Sequence, residues 1–194
     1  MDVTANLRTT GGPSSAIRIR TNAQAYFWGA SIQTAGADFV VWTNSNNSRT
    51  SHSYIYLEGS SSISTNGGRI WLAGGQDDGG TAASITSNRG AWSSLQANDG
   101  YPDGYAIGQN VSGWASTGIL LNSGVSLLSG GGDIFLAGAQ APSTDWGTSH
   151  IEVFPGVKID SGAGRIAMWG RSLGSSPTQG IALNRDGGDA TDPV

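Results

Sequence analysis

Few residues in this chain have side chains suited to chemistry. There are two histidines, His52 and His150, and no cysteine. Neither histidine has another at metal-binding spacing, so a zinc site or a Cys–His nucleophile lacks its ligands. Serine is abundant, but no Gly-x-Ser-x-Gly follows a strand and opens a helix, as a nucleophile elbow requires. Carboxylates are the more serious option, and Asp99, Asp103, Asp145, Glu152 and Asp160 are the candidates. A glycosidase needs two carboxyls at a defined separation. A polysaccharide lyase needs basic residues beside an acidic, calcium-binding groove. No cluster of Asp, Lys and Arg recurs here, so the expectation is a protein that is not an enzyme. Asp77-Asp78-Gly79-Gly80 and Asp186-Gly187-Gly188-Asp189 carry hard oxygen ligands of the kind calcium takes. Neither fits the EF-hand loop or the Gly-Gly-x-Gly-x-Asp repeat, and both read as polar turns. No cofactor is expected.

What would position any of these residues is an internal repeat. Ile55, Ile63, Ile70 and Leu72 are spaced by 8, 7 and 2 residues. Ile119, Leu127, Ile134 and Leu136 repeat that spacing, and so do Ile151, Ile159, Ile166 and Met168. A glycine precedes the third anchor each time: Gly68, Gly132 and Gly164. Upstream, Ile32, Phe39 and Val41 fit the later part of the same unit. Repeats are therefore expected to start near 25, 55, 85, 119, 151 and 181 of a single domain spanning 1–194. The unit over 85–117, beginning near Ile85, is expected to be degenerate and stretched by the loop around Tyr101-Pro102-Asp103. Apolar residues at alternate positions make short strands with one inward face. Asn-Gly and Gly-Gly pairs mark corners that need positive φ. A single such unit cannot bury its apolar face, so units must stack. The fold class is all-β, a parallel β-helix or β-solenoid of about six coils of roughly 30–34 residues each. A β-sandwich also has short alternating strands, but gives no reason for the 8-7-2 spacing to recur.

Composition agrees. Gly is 31 of 194 residues and charged residues only 12%, which suits short strands and tight turns and disfavours helix. Seven tryptophans and a regular supply of Ile and Leu argue against disorder. The net charge of −4 argues against nucleic acid, whose binding needs clustered cations. The richest basic cluster is Arg18 and Arg20. No apolar run is long enough to span a membrane as a helix. Met1-Asp2-Val3-Thr4 does not begin a signal peptide. Ile17 and Ile19 alternate as in another strand. The break after Ile181-Ala182-Leu183 reads as an internal segment of a longer stem, or as a subunit that stacks end to end.

If Ile70 and Leu72 point inward, their neighbours point outward. One outward column holds Asp38, Arg69, Asp133 and Arg165, so opposite charges should stack on adjacent coils. The next holds Val40, Trp71, Phe135 and Ala167, and another holds Trp42, Ala73, Ala137 and Trp169. Trp71, Phe135, Trp169 and Trp42 are thus a candidate interaction surface. A loop could fold over them, a second copy could cover them, or they could stack on sugar rings.

Ser62-Ile63-Ser64-Thr65-Asn66-Gly67-Gly68-Arg69-Ile70-Trp71-Leu72-Ala73-Gly74-Gly75 resembles the repeats of filamentous-haemagglutinin-like adhesins of Gram-negative bacteria. Ser129-Gly130-Gly131-Gly132-Asp133-Ile134-Phe135-Leu136-Ala137-Gly138 does so equally. At the level of pattern the resemblance covers about residues 25–185. It implies a right-handed β-helix stem in a large, secreted or cell-surface protein, exported by two-partner secretion or as an autotransporter. Attachment, biofilm cohesion or cell–cell contact would be its role. Other copies or repeats of the protein, or glycans on another cell, would be its partners. The family's amino-terminal secretion module, with its Asn-Pro-Asn-type motif, is not found in the chain.

Overall fold

The computed structural model of the chain describes residues 1–12, 14–48, 51–77, 99–109, 117–141, 149–173 and 179–183. These form short strands that come mostly in sets of three. The first set is β1 (Asp2–Val3), β2 (Leu7–Arg8) and β3 (Ile17–Arg20), and the second is β4 (Ala25–Trp28), β5 (Ser31–Gln33) and β6 (Phe39–Thr43). The third is β7 (Ile55–Glu58), β8 (Ser62–Ser64) and β9 (Ile70–Gly74). A lone strand, β10 (Ala106–Ile107), precedes β11 (Ile119–Leu121), β12 (Ser126–Leu128) and β13 (Ile134–Gln140). Then come β14 (Ser149–Val153), β15 (Lys158–Asp160), β16 (Ile166–Ser172) and finally β17 (Gln179–Leu183). No helix occurs among the described residues.

The protein is all-β, and its sheets are parallel. Members of each set go in turn to three different sheets. The first sheet runs β1-β4-β7-β11-β14-β17, the second β15-β12-β8-β5-β2, and the third β10-β13-β9-β6-β3 with β16 also on β13. Register follows the repeat. Ile119 stands between Ile55 and Ile151, and Ile151 pairs on to Ile181. Leu127 stands between Ile63 and Ile159, and Ile134 between Ile70 and Ile166. The expected columns of anchors are therefore present as parallel ladders. Except for the exposed Ile166 and Ile181 and the partly buried Ile159, their side chains join Val3, Phe27, Ile32, Phe39 and Leu57 in one continuous apolar core. Fully burying each such side chain contributes about 1.5–3 kcal/mol.

The ladders bear on the expected organisation between Ile55 and Ile119. Ile85, its expected start, lies outside the described residues. Yet β7 pairs directly with β11, β8 with β12 and β9 with β13. Between the paired residues no further strand stands, and only beyond Leu136 does β13 take β10 as its neighbour. Most of the unit over 85–117 lies outside the described residues, and its described part contributes β10, which pairs in parallel with β13. Tyr101 and Tyr105 pack on the outward face of the third sheet, while Ala106 reaches the main core. At the other end, the first 20 residues supply a set that the repeat starts near 25 and 55 did not include. Only the Ile17–Ile19 alternation announced it, and β3 pairs there with β6.

Two buried devices hold one corner of the stack. Thr34, Thr65, Ser129 and Ser161 each donate a hydroxyl proton to the carbonyl three residues on, at Ala37, Gly68, Gly132 and Gly164. The first three hydroxyls also lie 3.1–3.3 Å from the carbonyl of the equivalent residue in the next set. Beside them, the glycines that precede the third anchors allow close backbone approach. A Cβ on Gly68 would lie 2.0 Å from the Ala37 carbonyl oxygen, on Gly132 2.1 Å from that of Gly68, and on Gly164 2.1 Å from that of Gly132. Positive φ belongs to the preceding residues, Asn66 and Gly67 or Gly130 and Gly131.

Candidate functional site

The outward face of the third sheet carries the residues singled out from the sequence. The first expected column exists: Val40 pairs with Trp71, Trp71 with Phe135 and Phe135 with Ala167, whereas in the second Ala73 and Ala137 are not partners. Trp42 pairs with Ala73 and Ala137 with Trp169. The charged column exists too. The Arg165 guanidinium lies 2.6 Å from the Asp133 carboxylate, which holds that carboxyl below its ordinary range. In the neighbouring pair, the Arg69 backbone N–H donates to Asp38 Oδ1 at 2.6 Å.

Trp71 and Phe135, however, are not an exposed interaction surface. Trp71 is 2% exposed and Phe135 fully buried. Their rings stack at 4.2 Å between centroids, and the 99–109 segment covers them. Tyr101 packs on Trp71 at 5.0 Å, and the Trp71 indole N–H donates to the Pro102 carbonyl at 2.9 Å. Tyr105 and Ile107 complete the cover. The segment is fastened by backbone bonds, Gly104 N–H to Gly74 O at 2.7 Å and Asp103 N–H to Gln76 O at 2.7 Å. An antiparallel bridge joins Ser53 and Ile107. Beyond Leu136, β13 changes neighbour, and Gly138 and Ala139 pair with Ala106 and Ile107 of β10. Of the other two tryptophans, Trp42 is buried and donates its indole N–H to Gly75 O at 2.7 Å, and Trp169 is half-buried against the same cluster. The aromatics require cover, and the chain supplies it to Trp71 and Phe135 itself.

Beside that cover is an open groove of about 470 Å³, lined by Arg18, Arg20, Val40, Trp42, Asp99 and Gly100. Alternation in β3 sends Ile19 inward and Arg18 and Arg20 outward. The Arg20 guanidinium lies over the Trp42 ring at 4.3 Å. That of Arg18 lies 5.6 Å from the Tyr101 ring centre, and Arg69 approaches the same ring at 5.1 Å. Tyr101 is fixed by its hydroxyl, which donates to Asp38 Oδ2. Burial, then that bond, push the phenol up to about 12. The opposite wall is set by Asp77, whose two carboxylate oxygens accept the backbone N–H groups of Asp99 at 3.1 Å and Gly100 at 2.7 Å. Burial raises the Asp99 carboxyl above its ordinary value, and the nearby Asp77 charge adds to this.

The candidate acids are not brought to one centre. Asp99 and Asp103 belong to the covering segment, and Asp103 is fully buried. Glu152 is buried on β14 of the first sheet, accepting a bond from Thr117 Oγ1 at 3.4 Å. Asp160, on β15 of the second sheet, lies 3.5 Å from Lys158 Nζ. Asp145 lies outside the described residues, as do Asp78, Gly79, Gly80 and the 186–189 loop. The histidines are also apart. His52 is exposed before β7, with Ser51 Oγ 2.8 Å from its Nδ1. His150 is buried in β14, and burial lowers its pKa to about 4. Among the described residues, no three His, Asp or Glu side chains gather where they could hold a metal ion.

The sequence marked Arg18 and Arg20 only as the densest basic pair. The available signal was their alternation with Ile17 and Ile19. Nothing local linked them to Asp99, which is far along the chain. No protein-family model, curated protein or solved structure matches this chain.

Proposed function

We propose that the chain is a stretch of right-handed parallel β-helix that serves as a structural stem segment of a large secreted or cell-surface bacterial adhesin, and that it is not an enzyme. The observation that carries this reading is the cyclic assignment of successive strands to three in-register parallel sheets. On this reading each set of three strands is one coil, giving five coils and the first strand of a sixth. At about 4.8 Å per coil the five would rise about 24 Å. Repeats that stack without limit suit a stem, because length grows by adding coils and each coil contacts only its neighbours. The resemblance of residues 62–75 and 129–138 to adhesin repeats supports the role. The scatter of the candidate acids over different sheets supports the absence of turnover.

Cells displaying the chain at their surface should adhere to one another or to a substratum more than cells without it. The purified chain should release neither reducing ends nor unsaturated products from pectin or alginate. Product release that disappears in Asp103→Asn would overturn the stem reading in favour of a polysaccharide-degrading β-helix. Unchanged adhesion would remove the adhesive role.

A second reading, a self-assembling fibre subunit, is favoured by one observation. Ile166, Ile181 and Leu183, on strands at the same edge of the stack, are 46%, 38% and 61% exposed.

A further inference from the structure

We infer that the groove between β3 and the 99–100 turn binds a carboxylated sugar, such as a hexuronic acid residue of a polysaccharide. This goes beyond the stem reading and does not rest on it, since the residues it uses all belong to this chain.

The groove, at about 470 Å³, is within the range of small-molecule sites. Both of its cations are exposed, yet both are held against aromatic rings, Arg20 by Trp42 and Arg18 by Tyr101. The rings are themselves fixed, by the Trp42 bond to Gly75 O and the Tyr101 bond to Asp38. A guanidinium stacked on a ring keeps N–H donors at its edge, although Arg20 Nη2 already donates to the Ser45 carbonyl at 3.4 Å. Such an edge fits a planar carboxylate through two parallel bonds. Neither arginine has an ion pair among the described residues.

Asp99 makes the selection more specific. With Asp77 behind it, it offsets the charge of Arg18 and Arg20, which disfavours a dianionic phosphate more than a single carboxylate. Its carboxylate is an acceptor for hydroxyl donors. A carboxylate with neighbouring hydroxyls is the chemistry of a uronic acid, and the apolar floor at Val40 suits the C–H face of its ring. Gly100 keeps the turn close to the guanidinium. Its φ is 87°, and a Cβ there would lie 3.6 Å from Arg18 Nη2.

The test is calorimetric titration of the intact chain with trigalacturonate, neutral galactotriose, sulfated galactotriose and triglutamate. Trigalacturonate should bind, and the other three should bind at least about tenfold more weakly. Arg18→Gln and Arg20→Gln, at exposed positions, should keep the thermal transition and lose at least about tenfold in affinity. Arg20→Lys should keep the charge but recover only part of the loss, since Lys lacks the fork. Asp99→Asn keeps an acceptor oxygen and removes the repulsion, so it should tighten trigalacturonate binding. Equal binding in both Gln variants, equal binding of all three anions, a preference for the sulfated sugar or the peptide, or no binding of trigalacturonate would each overturn the proposal. None of these results would alter the strand ladders or the adhesion assay on which the stem reading depends.

Discussion

At the residue scale, the stack is most sensitive where two backbones touch. Gly132 has a carbonyl oxygen of the neighbouring set 2.1 Å from where its Cβ would be. That oxygen belongs to backbone and cannot rotate away. Gly132→Ala should therefore cost about 3 kcal/mol or more. Gly67→Ala gives the contrast: its φ is 110° with nothing within 4 Å of a Cβ, so only the conformational strain of about 1–2 kcal/mol remains. Equal losses in urea denaturation would mean that close approach is not what selects glycine there. His150 gives a second test. Burial lowers its pKa from 6.5 to about 4, so the unfolded chain binds the proton more readily. The stability from keeping it neutral is complete above pH 6.5 and is lost as the pH falls through 6.5 towards 4. His150→Gln should remove that share of the acid sensitivity, so the difference in stability between pH 7 and pH 5 should shrink. An unchanged difference would refute the buried neutral imidazole. The glycines were legible in the sequence from their place before the third anchor, though their reason was not, because φ and close approach look alike in a string of letters. The hydroxyl ladder of Thr34, Thr65, Ser129 and Ser161 was hidden among many other Ser and Thr residues.

At the element scale, alternation and spacing made the strands and their register legible. Ile, Leu and Val at period 2 define an inward face, and a register slip by one residue would turn every anchor outward. What covers the other face was not legible. Tyr101 meets Trp71 across 30 positions of sequence, through an insertion whose own pattern carries no repeat. The spacing also says little about the 64-residue interval, since a spacing of anchors constrains only strands that pair, and β7, β8 and β9 pair directly with β11, β12 and β13. The difference is measurable at Trp71. As part of an exposed interaction face, Trp71→Ala would change stability by no more than about 0.5 kcal/mol. As a buried ring between Phe135 and Tyr101, it should cost about 3–5 kcal/mol. Near-neutral stability with lost adhesion would restore the interaction face. The groove shares this origin, because one wall comes from β3 and the other from the insertion, and only the first wall showed in the sequence as Arg-x-Arg.

At the scale of the whole molecule, a parallel stack has two ends whose strands lack a neighbour, and unpaired N–H and C=O groups at such edges recruit further strands. Among the described residues, no strand pairs on the far side of β15, β16 or β17. The apolar side chains there are exposed, Ile181 at 38% and Leu183 at 61%. At the opposite edge, Leu7 and Ile17 of β2 and β3 are half-buried, so apolar side chains are partly open there as well. If copies stack end to end, Ile181 passes from partial exposure into a continuous core. Lys at that position separates the two states. In the single molecule its ammonium can reach water, so the thermal transition of Ile181→Lys at low concentration should stay close to that of the parent. In the stack the same charge would be buried without a partner, at a cost of several kcal/mol. The parent chain should therefore sediment faster as concentration rises while Ile181→Lys remains monomeric. If the parent stays monomeric over the same range, its end is covered in solution and the fibre reading fails. If both associate alike, assembly proceeds through another surface, and the exposed Trp28 on the outer face of the first sheet, 54% accessible, is the next position to substitute.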